Sequence, residues 1–172
     1  MKKHKVKIGF LLILIIGFLL PQNLKIPVVN AGKSDYHPKS FWYYPWGKSV
    51  THKGVDIFAK SGTMVTSATK GIVLYTGKIK YGGNFIIILG PKWRLHYYAH
   101  LNEIRTKSFH FVNQKSIIAT VGISGNAKEK EPHLHYSITT IIPYPWKIDF
   151  GKQGWKKMFY LNPIPYFNLG SI

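Results

Sequence analysis

Residues 71–100, GIVLYTGKIKYGGNFIIILGPKWRLHYYAH, decide the fold. Residues 71–79 and 84–89 are rich in β-branched and aromatic side chains, the types that fit a pleated surface. Tyr81-Gly82-Gly83 stands between them as a turn, and Gly90-Pro91 breaks the chain before a third run at 92–100. Outward from this block, residues 116–121 (SIIATV) and 133–140 (HLHYSITT) read as two more strands. No amphipathic pattern of three helical turns follows residue 31. Residues 32–50 and 143–172 are rich in Pro, Gly, Trp and Tyr and read as irregular arms laid over a sheet. The expected fold is a single all-β domain with antiparallel pairing, its aromatic arms (41–46 and 144–146) serving mainly as core cover.

Composition narrows the chemistry. A chain of 172 residues supports one domain with a short appendage, and 45% hydrophobic and 15% aromatic residues are enough for a core. Lys and Arg number 24 against 6 Asp and Glu, a formal charge of +18. Cysteine is absent, which removes disulfide frameworks, thiolate metal clusters and cysteine nucleophiles together. Eight histidines outnumber the acids and turn attention to imidazole.

The N-terminus takes part of the charge. Lys2, Lys3, Lys5 and Lys7 precede the uncharged run IGFLLILIIGFLL at 8–20. Thirteen residues rise about 20 Å as a helix, short of a roughly 30 Å hydrocarbon core. A positive n-region before a short apolar run describes an export signal, and Val29 and Ala31 suit a cleavage site that would leave Gly32 first. An uncleaved membrane anchor is the alternative. Residues 1–31 are therefore read as signal peptide or anchor, 32–49 as an aromatic arm, 50–142 as the core and 143–172 as a C-terminal arm. Removing 1–31 takes five lysines and no acid, so +18 becomes +13.

Four segments concentrate groups that bind metal or move protons: THKGVDIF with His52 and Asp56, LHYYAHL ending at His100, PHLHYSI with His133 and His135, and, more weakly, the turn SGNA at 124–127. Strand residues two apart share a face, so His133 and His135 project together. The same alternation puts Arg94, His96, Tyr98 and His100 on one polar face and Trp93, Leu95, Tyr97 and Ala99 on the core face. Such a sheet forms the floor of a groove, with Tyr98, His96 and Asn84 as candidate groove residues. Zinc suits that floor, because a catalytic zinc takes three His or carboxylate ligands and keeps a fourth position for water. Two histidines and Asp56 are the natural set; alternation alone does not say which histidine of the pair is the ligand. Each piece also has a structural reading, as a loop hydrogen bond at His52 and Asp56 or as surface histidines on a strand.

HKGVDIFA, YAHL and PHLHYSI, in this order, resemble the motifs of the lysostaphin-type (LytM-like) zinc metalloendopeptidases acting on peptidoglycan. SGTMVTSATKGIV, VGISGNA and LNPIPYF are similar to that family's hairpin, glycine turn and closing segment. The resemblance spans about residues 50–142. It implies one zinc ion held by His52, Asp56 and His135, with His100 and His133 handling protons as metal-bound water attacks a peptide carbonyl. Met64 replaces a usual proline, and Glu131 a usual glycine within a longer loop. The implied partners are peptidoglycan peptide stems and, through the basic surface, anionic envelope polymers. The implied location is exported, in periplasm, envelope or outside the cell, with the N-terminus engaging the membrane at least during export. Two other classes compete: a catalytically silent envelope scaffold or amidase activator, and a basic glycan-binding module. No nucleic-acid motif is present, so no nucleic-acid partner is expected.

Overall fold

The apolar run at the N-terminus forms α1, Lys2–Leu19. The computed structural model describes residues 2–167. No helix among these is long and apolar enough to cross a membrane.

Nine strands follow: β1 (Val55–Phe58), β2 (Met64–Thr66), β3 (Gly71–Ile79), β4 (Gly83–Gly90), β5 (Arg94–Leu101), β6 (Phe111–Val112), β7 (Ile117–Thr120), β8 (His133–Thr140) and β9 (Tyr160–Leu161). A four-residue helix, α2 (Ile164–Phe167), closes the described chain. β1, β8, β5, β4, β3 and β6 lie side by side in that order, all antiparallel. β9 shares the β1 edge of β8: β1 pairs with residues 133–136 and β9 with Ile138 and Thr139. β2 and β7 form a separate antiparallel pair.

The all-β antiparallel expectation holds, and β3 and β8 have the expected bounds. β5 differs, because residues 91–93 form a 3-10 turn with Lys92 at φ +61° before the strand begins at Arg94.

One face of the large sheet is core. Val55, Ile57, Ile86, Ile88, Leu134 and Ile138 are fully buried there. Val65, Ile118 and Ala119 of the small sheet join the same core, as do Ile164 and Phe167 of α2. Leu24 and Val28, between α1 and the first strand, belong to it too. The other face of β1, β8 and β5 is left open.

β5 carries the main departure from the expected geometry. Asn84 pairs with Leu101 but Ile86 pairs with Tyr98, so two steps on β4 match three on β5. The extra residue is a bulge, with His100 at φ +62°. Beyond it the alternation changes phase. His100 therefore opens to the face of Tyr97 and Ala99, while Tyr98 and His96 turn into the core and are 0% exposed. The expected face of Arg94, His96, Tyr98 and His100 is corrected accordingly, and Tyr98 and His96 do not line a groove. Asn84 is half-buried beside the end of β5. Its amide donates to the carbonyls of Leu101 (3.1 Å) and Asn102 (3.0 Å), bracing the end of β5.

Candidate metal centre

The open face gathers its polar side chains from three places. β1 supplies Asp56, and β8 supplies His133 and His135, with Asp56 directly opposite His135. Ala99 of β5 lies opposite His135 on the other side. His52 comes from the loop before β1. That loop passes tight against β8: a Cβ on Gly54 would lie 2.5 Å from the Tyr136 carbonyl oxygen and 2.9 Å from the His135 ring. Only glycine lets His52 and Asp56 meet His135.

Three donor atoms converge. His52 Nε2 lies 3.1 Å from Asp56 Oδ1 and 3.1 Å from His135 Nδ1, and His135 Nδ1 lies 2.7 Å from Asp56 Oδ1. His52 Nδ1 donates to the Ser40 carbonyl at 3.0 Å. A carbonyl only accepts, so the proton is on Nδ1 and the lone pair of Nε2 faces the cluster. Burial alone would raise the Asp56 carboxyl. The adjoining His135 and His52 imidazoles overcome this and hold it well below the usual carboxylate range.

Two imidazole nitrogens and one carboxylate oxygen, mutually within 3.1 Å, form a metal-ligand set. Its chemistry fits zinc, which prefers His nitrogen with a carboxylate; calcium and magnesium ask for oxygen. His52, Asp56 and His135 are the residues that would hold it.

Two further imidazoles border the cluster. His133 Nδ1 donates to the Glu131 carbonyl (2.7 Å) and His100 Nδ1 to the Ser124 carbonyl (2.9 Å). Their rings meet edge to face, with centroids 5.0 Å apart. Each is left with Nε2 as the nitrogen that has no hydrogen-bond partner among the described residues. Burial pushes His100 down to about 4, against the opposing bond to Ser124 and helped by the charges of His135 and His133.

The cleft over these groups has a volume of about 170 Å³ and is also lined by Tyr97, Tyr81, Asn126 and Lys130. It opens into a larger one of about 860 Å³, with Lys48 and Lys130 on its walls. Burial pushes the Tyr97 phenol up to about 12, so it stands neutral in the cleft.

Tyr97 and Trp46 are site residues that the sequence reading assigned to core or core cover. Alternation without the bulge turned Tyr97 inward, and nothing around His100 signals a positive φ. Trp46 stacks on His52 at 4.2 Å between centroids and 26° between planes. Its position in an aromatic stretch two turns of chain before a candidate ligand was the available sign.

The profile of "Peptidase family M23" matches residues 50–145. The L-Ala--D-Glu endopeptidase of Bacillus subtilis is 35% identical over 115 residues, covering 62% of this chain and 35% of that protein. The chain thus spans about a third of the length of that curated relative. The catalytic domain of the antimicrobial peptidase lysostaphin from Staphylococcus simulans superposes with a TM-score of 0.61 at 25% identity, covering 75% of this chain and 89% of that one. A zinc-containing peptidase from Vibrio cholerae gives 0.57 at 27% identity, over 69% of this chain and 36% of that one.

Proposed function

Because the chain belongs to peptidase family M23, we propose that it is an exported zinc endopeptidase that hydrolyses peptide cross-links of bacterial peptidoglycan. The observation that carries this reading is the convergence of His52 Nε2, Asp56 Oδ1 and His135 Nδ1 at the floor of an open cleft. The names of the matched relatives supply the substrate class.

Zinc held there supplies Lewis acidity, making a water more acidic and polarising a peptide carbonyl. The chain's own residues do the rest. His52 and His135 are fixed in orientation, His52 by the Ser40 carbonyl and the Trp46 ring. His100 and His133 keep Nδ1–H on backbone carbonyls, which leaves Nε2 free to take a proton from the attacking water and return it to the departing amine. Burial keeps His100 neutral near pH 7, so its Nε2 carries a lone pair there. Asp56 is the one acidic side chain on the two clefts, whereas Lys48 and Lys130 line them. That balance favours peptides bearing carboxylates and an anionic envelope polymer alongside.

The test is zinc content together with digestion of purified sacculi. The expected result is about one zinc per chain and loss of cross-linked muropeptides. Zinc-loaded, folded protein that leaves cross-links intact overturns the reading.

A further inference from the structure

Residues 22–31 are woven into the domain. Leu24 and Val28 are 4% and 3% exposed within the core. Val28 bridges Val65 of β2 in antiparallel fashion. Backbone bonds run from Lys25 N to Ala68 O (3.1 Å), from Thr66 N to Pro27 O (2.8 Å) and from Val29 N to Met64 O (3.0 Å). The segment thus serves as a third strand on the free edge of β2. Gln22 reaches deeper: its amide nitrogen donates to His96 Nε2 at 3.0 Å, and its oxygen accepts from Arg94 Nη1. Without Gln22, buried Arg94 and His96 each lose a partner.

The small residues that an export peptidase needs lie on the wrong side of this segment. Residues 18–30 contain no Ala, Gly or Ser, and the Val29-x-Ala31 pattern follows the segment. Cleavage after Ala31 would remove Gln22, Leu24 and Val28 from the fold.

From Ile8 onward, α1 is apolar on all sides. Phe10, Leu11, Leu12, Ile13, Ile16 and Leu19 are 53–75% exposed. Its last turn is fastened to the domain, with Trp93 Nε1 donating to Leu14 O and Lys92 Nζ to Phe18 O, both at 2.9 Å. Phe111, 85% exposed, lines a cleft with Gly17 and Leu20, so the apolar surface continues from helix to domain. A helix apolar all round needs an apolar partner, and the lysines at its start suit anionic headgroups.

We propose that α1 is retained after export and holds the chain at the membrane, with bilayer lipid as the partner of its apolar surface. Thirteen apolar residues rise about 20 Å, so the bilayer thins locally around them.

The test uses the full chain expressed with export in a bacterial host. Intact mass and membrane fractionation are measured for the wild type and for Ala31→Leu, which blocks the Val29-x-Ala31 site. The expected result is an unprocessed N-terminus in both, in a pellet resistant to high salt and alkaline carbonate but released by detergent. A soluble wild-type chain beginning C-terminal to α1 overturns the proposal. So does an N-terminal segment, or membrane retention, that is recovered only in Ala31→Leu.

Discussion

β5 and β8 carry histidine on each face, a cluster on the open side and His96 alone on the core side, and the two settings are built differently. On the open face, His52, His100 and His133 each give Nδ1 to a backbone carbonyl, from Ser40, Ser124 and Glu131. Their Nε2 atoms face the cluster or the cleft, and Asp56 supplies a negative charge. On the core face, His96 has both nitrogens engaged, one by Gln22 and one by the Tyr136 hydroxyl at 2.6 Å, and its charged neighbour is the cation Arg94. The count of histidines is therefore a poor guide to chemistry. What separates a reacting imidazole from a structural one is a nitrogen left without a protein partner, beside an anion, at the edge of a cleft.

The most forceful way to break this comparison is to remove the anion. Asp56→Ala should lower zinc affinity by more than about 100-fold and reduce cross-link hydrolysis to background, with the circular dichroism of the sheet unchanged. Stoichiometric zinc in this variant would show that the open cluster is not the metal centre.

The next largest effect comes from the free nitrogens. Asparagine retains a donor near the Nδ1 position and has nothing at Nε2, so His100→Asn and His133→Asn keep the backbone tie and remove the base. Each should lower kcat by about 10²- to 10⁴-fold at unchanged zinc content. If kcat survives in both, proton transfer lies elsewhere.

How much of this the sequence discloses follows from where the information is local. β3 and β8 are strands in isolation because their own residues prefer the pleat, and the His-x-His spacing on β8 puts two imidazoles on one face. The Asp56 to His135 contact is non-local, and the motif resemblance pointed to it where periodicity did not. The short strands β1, β2, β6 and β9 have two to four residues each, too few for an alternation signal. The face of His96 and Tyr98 was misread for a different reason. A bulge adds one residue to β5 at a non-glycine position, and with a period of two, one residue reverses every side chain on one side of it.

The core face can be tested by pH. Burial, assisted by Arg94, pushes His96 down to about 3, against about 6.5 in an unfolded chain. Below pH 6.5 the unfolded state binds a proton that the folded state refuses, so stability falls as pH drops from about 6.5 toward 3. The slope from this one group reaches about 1.4 kcal/mol per pH unit. His96→Gln cannot titrate and should flatten that limb in urea unfolding series, while costing about 1–3 kcal/mol at neutral pH through disturbed buried hydrogen bonds. Its kcat per folded molecule should match wild type. A matching acid limb in the variant would place the titration on another group.

The smallest effect expected is at Trp46, where the two faces differ least in kind, since both rest aromatic rings against histidine. The Trp46 ring lies over His52 at 4.2 Å, and a ring pair of this sort is worth about 0.5–1.5 kcal/mol. If the stack serves mainly to hold His52, Trp46→Ala should weaken zinc binding by about 2- to 10-fold, Trp46→Phe should restore most of it, and KM should stay put. Trp46 also lines both adjoining clefts. A rise in KM with zinc affinity unchanged would therefore assign the ring to the substrate wall. In that case the orientation of His52 rests on the Ser40 carbonyl alone, the same backbone device that fixes His100 and His133.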